Sequence, residues 1–160
     1  MNKLEGSAQE RLKELFSKYP IPPPEVVIPI LEKAGLGERE LTTQIYNRVS
    51  GQANGIKEIL GLKGKDMRTL AKVWEILAGF NGQKLQSIML DESRFTVSIS
   101  ECPMRHVGDD ISISVKGKFC DLICTTATKA LMDTIIGQGK LTCSLDKALI
   151  EGASKSRITY

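Results

Sequence analysis

The apolar positions of this chain change their period part-way along. Up to about residue 90 they recur every three or four residues, as in amphipathic helices; from Arg94 onward they alternate, as in strands with one face inward. Ser7 followed by Glu10 has the form of a capping box, opening a helix with Ala8, Leu12, Leu15 and Phe16 on one face. Pro20 and the run Pro22-Pro23-Pro24 stop it, and that stretch is expected to be an extended, stiff connector. Val26 to Ala34 predicts a short or kinked helix. Leu41, Ile45 and Val49 mark a helix from Glu38 to Val49, and Ile56, Ile59 and Leu60 a shorter one between Gly55 and Gly61. Asp66 is placed to cap the strongest helix of this half, whose stripe is Met67, Leu70, Val73, Trp74 and Leu77, ending near Gly79.

Beyond residue 90 the pattern predicts strands. Phe95, Val97 and Ile99 alternate with Thr96, Ser98 and Ser100, and Ile111, Ile113 and Val115 alternate with Ser112, Ser114 and Lys116. Each is expected to keep one wet face, with a turn over 107–110 between them. Phe119 to Ile136 predicts a long helix stopped by Gly137 and Gly139, followed by a strand carrying Leu141, Cys143 and Leu145 and a last strand from Arg157 to Tyr160. The expected fold class is α+β: N-terminal helices followed by an antiparallel four-stranded sheet (ββαββ) with one long helix packed on it. The expected division is a helical part, 1–90, and a ββαββ ligand-binding unit, 91–160, within one compact domain.

Composition narrows the choice of function. The chain has 160 residues and a net charge of only +3, and the excess lies in the first 90 residues. Aromatics make up 5% of the chain and no basic stripe is present, so nucleic acid is not an expected partner. No apolar run approaches the roughly 18 residues that a membrane span needs. The first residues lack the apolar core of a signal peptide, and four cysteines without one are expected to be reduced thiols in the cytoplasm.

All four cysteines fall after residue 100. Cys120 and Cys124 stand four apart on the long helix and share a face with Ile123, Ala127, Leu131 and Ile135. Thiols so spaced serve as small core hydrophobes, or as two ligands to a soft metal or reactive group. Cys102 ends a strand just before Pro103, on the face of Ser98 and Ser100, and His106, the sole histidine, follows four positions later. The candidate metal ligands are therefore Cys102, His106, Cys120 and Cys124, for zinc or another thiophilic ion. Cys143, between Leu141 and Leu145, is expected in the core. There is no P-loop, no Gly-x-Gly-x-x-Gly, no paired Cys-x-x-Cys and no His-Glu-x-x-His.

The run Phe119-Cys120-Asp121-Leu122-Ile123-Cys124, continuing through Ala130-Leu131 to Gly137 and the closing residues 140–160, resembles the C-terminal half of the 4-vinyl reductase domain. It is equally similar to the small subunits of the TRAPP trafficking complex. The resemblance implies an α+β fold around an apolar pocket for a small molecule or acyl chain, assembled as a homodimer. In zinc-binding vinyl reductase domains one cysteine opens the helix and two flank the final turn; Cys120 matches the first, but residues 148–156 hold no cysteine. Cys102-Pro103 after a helical half is also similar to the L-2-amino-thiazoline-4-carboxylic acid hydrolase group.

These strands combine into one leading expectation: a cytoplasmic small-molecule-binding or sensor-like module, its pocket lying between helices and sheet. Ile123, Ala127, Leu131 and Trp74 would form the walls, and Cys102, Cys120, Cys124 and His106 the polar end. The alternatives are a small hydrolase with Cys102 as nucleophile and His106 as base, and an assembly or adaptor subunit that binds a partner through an exposed helix face.

Overall fold

The structure is a computed structural model that describes residues 6–18, 38–90, 95–103, 113–142, 144–147 and 156–159. Four helices, α1 (Gly6–Lys18), α2 (Glu38–Ile59), α3 (Met67–Phe80) and α4 (Ile113–Ile135), accompany strands β1 (Lys84–Leu90), β2 (Phe95–Glu101), β3 (Ser144–Lys147) and β4 (Ser156–Thr159). The class is α+β. The expected picture of one long helix lying on a four-stranded sheet is corrected, however, because helices dominate. The most extensive helix contact joins α2 to α4, while α4 meets the sheet mainly along β3 and α3 packs on β1. Among the described residues the long ladder is the two-stranded antiparallel pair β1–β2, from Lys84 opposite Glu101 to Leu90 opposite Phe95. The four-residue strands β4 and β3 extend it beyond β2, in the order β1-β2-β4-β3.

The helices follow from their stripes. On α2 the buried residues Val49, Gln52, Ala53 and Ile56 repeat at helical spacing, while Glu40, Asn47, Asn54 and Glu58 face solvent. On α4, Thr128, Leu131 and Ile135 are buried in the same way. α3 starts where Asp66 accepts a hydrogen bond from the Thr69 N–H at 2.8 Å, as its stripe and cap predict. It ends one residue beyond Gly79 in a Schellman motif: Gln83 N–H donates to Ala78 C=O and Gly82 N–H to Gly79 C=O. Gly82 closes that motif at φ +69, a conformation that costs a side-chain-bearing residue energy.

Four expectations about the elements are overturned. Residues 38–59 form one helix, not two. Glycine inside a helix costs up to about 1 kcal/mol relative to alanine, but at Gly55 the missing side chain lets α1 approach: a Cβ there would lie 2.5 Å from Leu15 Cδ1. The segment from Ile113 to Lys116 is the first turn of α4 rather than a strand. Extending an existing helix adds a hydrogen bond per residue without a new nucleus, and this outweighs the β preference of isoleucine and valine. Strand β1 is additional; register shifts near Leu85 break its alternation. Strand β2 has no wet face over its first five residues, since Thr96 (7% exposed) and Ser98 (6%) are buried along with Phe95, Val97 and Ile99. It is flanked by β1 and β4 on its two edges. The predicted helix at 26–34, the proline run, the turn at 107–110 and Cys143 lie outside the described residues.

One core joins the parts. Leu12 of α1, Ile56 of α2, Val73 and Trp74 of α3, Phe95 and Val97 of β2, and Leu131 and Met132 of α4 belong to the same buried cluster. Burying each large apolar side chain contributes roughly 1.5–3 kcal/mol. Trp74 meets Phe95 edge to face at 6.4 Å, and Phe16 stacks on Phe80 at 4.2 Å, tying the end of α1 to the end of α3.

Polar contacts fix the α2–α4 pair. The Asp133 carboxylate accepts from the Tyr46 hydroxyl at 3.0 Å, from Lys129 Nζ at 2.9 Å and from the Gly139 N–H at 3.1 Å. Burial alone would raise this carboxyl, but the three donors outweigh it and hold it below its ordinary value of 3.8. Burial, reinforced by the facing carboxylate, pushes the Tyr46 phenol up.

Two outcomes are expected. Gly55→Val should lower the thermal midpoint, by roughly 1–3 kcal/mol as for an overpacked core, whereas Gly55→Ala should cost less because the Leu15 side chain can turn aside. Equal midpoints for Gly55→Val and the native protein would show that α1 is not seated against α2. For Asp133 the folded carboxyl titrates below the unfolded one, so its stabilisation is complete above about 3.8 and is lost as pH falls through the folded value. Asp133→Asn should therefore destabilise at neutral pH, by roughly 1–3 kcal/mol, and flatten the acid limb of a stability–pH curve. An unchanged acid limb would contradict the contact.

Candidate functional site

The predicted site residues separate when placed on this frame. Trp74 and Leu131 are core residues of one cluster, and Cys102, Cys124 and Ala127 pack partly buried against it. Ile123 is half-buried on α4. Cys102 lies just past the end of β2, where the Gln83 side-chain N–H approaches its sulfur at 3.9 Å. It shares its side of the strand with Ser98, which is itself buried, so the apolar surroundings of this thiol follow from the covering of both faces of β2. Cys124 precedes Thr128 by one turn and Leu131 by two on the inward stripe of α4. His106 and the side chain of Cys120 lie outside the described residues. Among the described residues no group of three or more His, Cys, Asp or Glu is gathered closely enough to hold a metal ion.

A different residue carries the unexplained chemistry. Gln52 sits in the middle of the buried stripe of α2, 0% exposed. Among the described residues, neither its amide nitrogen nor its amide oxygen has a hydrogen-bond partner. A primary amide presents two N–H donors and a carbonyl acceptor, and leaving such groups dry costs on the order of 1–3 kcal/mol each. Buried polar groups in folded proteins are nearly always satisfied, by protein, by water or by a bound molecule. One turn earlier Arg48 is half-buried, and burial pulls its guanidinium below its ordinary range, though it stays charged. Across the helix pair, α4 brings a second polar side chain inside, Thr128, also 0% exposed. The apolar interior of α2, α3 and α4 thus contains a polar amide that no described residue satisfies.

The sequence holds a signal for Gln52. It follows Val49 by three positions and precedes Ile56 by four, so it occupies an apolar register. With a helix expected to end at Val49 and another to begin near Ile56, Gln52 falls between the two and its register is hidden.

Comparison with known proteins shows what the frame is. It is similar to the crystal structure of trafficking protein particle complex subunit 3 from Naegleria fowleri covalently bound to palmitic acid, with a TM-score of 0.59 and 13% sequence identity over 96% of this chain and 93% of that one. The chain has a TRAPP small-subunit-like fold. No protein-family model matches it, and no curated protein matches it, so the likenesses to the 4-vinyl reductase domain and to the thiazoline hydrolase group gain no support. Among the described residues of this TRAPP-like fold, no helix is long and apolar enough to cross a membrane.

If the Gln52 amide is unmet in the empty protein, removing it should help. Gln52→Leu, freed of lipid by organic extraction and refolding, should melt at a higher temperature than native protein treated identically, by an amount equivalent to about 1–3 kcal/mol. A lower midpoint would show that the amide is already satisfied.

Proposed function

We propose that this chain is an assembly subunit that carries an acyl chain in its apolar interior. The observation that carries the reading is the fold likeness, which extends over nearly the whole of both chains to a trafficking-complex subunit holding palmitic acid. Three features of this chain are consistent with such a guest. Its interior is built by helices whose buried faces are apolar. Two thiols, Cys102 and Cys124, lie half-buried against that interior. A buried amide there awaits a partner.

Assembly takes precedence over sensing or catalysis in this reading. The polar neighbour described for Cys102 is the Gln83 amide, which cannot take its proton, and His106 lies outside the described residues. The partner proteins of an assembly subunit would meet its outer helix faces, while the acyl chain supports the helices from within. A second copy of the chain is one such partner.

Native mass spectrometry of protein purified without detergent tests both halves of the proposal. The expected spectrum contains a dimer or a larger complex and a bound mass equal to a long-chain acyl group. If that mass survives denaturation and is released by neutral hydroxylamine, the chain is held as a thioester; if it leaves on unfolding, it is held by burial alone. A strictly monomeric protein that neither arrives with an acyl mass nor takes up added palmitic acid would overturn the proposal.

A further inference from the structure

Resting on the acyl-chain reading, and on its form in which the guest is held by burial rather than as a thioester, we infer that the side-chain amide of Gln52 is the docking point for the polar end of the guest, and that this end is an uncharged head group bearing an O–H. The inference follows from what the amide lacks. Its N–H groups call for an acceptor and its carbonyl calls for a donor, and no described residue meets either need although the side chain is 0% exposed. A hydrocarbon would answer neither need, and an ester could accept but not donate. A carboxylate could likewise only accept, leaving the amide oxygen unanswered. A carboxylic acid or an alcohol answers both, its oxygen accepting from the amide N–H and its hydroxyl donating to the amide oxygen.

Position agrees with this demand. Gln52 lies between Val49 and Ile56 on the buried stripe of α2, with Ala53 beside it. A head group held there would lie between Val49 and Ile56 on the same stripe, with half-buried Arg48 one turn away. The buried stripe also explains why a glutamine is tolerated at a register otherwise filled by aliphatic residues: its cost is withdrawn only when the guest is present.

Competitive binding with three ligands of one chain length, palmitic acid, hexadecanol and methyl palmitate, provides the test in native protein, Gln52→Met and Gln52→Leu. In native protein at least one of the acid and the alcohol should bind about ten-fold or more tightly than the ester, since a site built to pair an O–H disfavours the analogue lacking it. Whichever of the two binds tighter identifies the head group. Both variants should still bind, with the gap to the ester closed. Equal binding of all three by native protein would overturn the inference, as would a gap that persists in Gln52→Met; the amide would then be met by buried water. Equal binding in the native series overturns the inference even if neither variant folds. Failure to bind any of the three would overturn the acyl-chain reading itself, and is distinct from binding without discrimination.

Discussion

Everything in this molecule is arranged around the packing of α2 against α4. These are its two longest helices, and each directs a stripe of buried side chains inward: Val49, Gln52, Ala53 and Ile56 from one, Thr128, Leu131 and Ile135 from the other. The pair is pinned where Asp133 gathers donors from Tyr46, Lys129 and Gly139. α1 reaches α2 because Gly55 leaves room for Leu15, and α3 completes the enclosure, carrying Trp74 to Phe95 of the sheet. The sheet is secondary to this arrangement, a hairpin with two short strands added. A protein so built has an interior set by helix faces, whose chemistry is decided by the few polar atoms those faces turn inward.

How much of this was legible in the chain depends on whether local pattern and tertiary packing agreed. At α3 they did: the stripe from Met67 to Leu77 and the Asp66 cap predict the helix, and those residues are where the packing puts them. At α2 they disagreed, because Gly55 resembles a break in isolation, and only the approach of Leu15 shows why glycine is useful inside the helix. At Ile113 to Lys116 an alternating pattern is absorbed into a helix that was already propagating. Strand β1 escaped notice because its register shifts destroy the alternation by which strands are recognised. Edge conditions of this kind are made by partners distant in sequence.

The candidate site shows the same contrast. Cysteines attract attention because their chemistry is distinctive, yet Cys102 and Cys124 lie against aliphatic neighbours much as small hydrophobes do. Trp74 and Leu131, expected as pocket walls, are core residues of a cluster that runs through every helix. The glutamine drew no notice, since an amide in a helix is ordinary on the surface. It becomes unusual only when burial and the absence of a partner are known together, and neither is written in the sequence. Its apolar register was nevertheless a readable clue.

Fold and interior chemistry therefore bear on one another: a TRAPP-like frame supplies an enclosed apolar interior, and Gln52 supplies an unmet polar group within it. The most direct test is an experimental structure of the protein as purified, at a resolution that shows ordered solvent and lipid. The account predicts elongated density between α2 and α4 whose oxygen end lies within hydrogen-bonding distance of both Gln52 amide atoms. A Gln52 amide bonded to protein groups, in an interior filled by side chains, would contradict it.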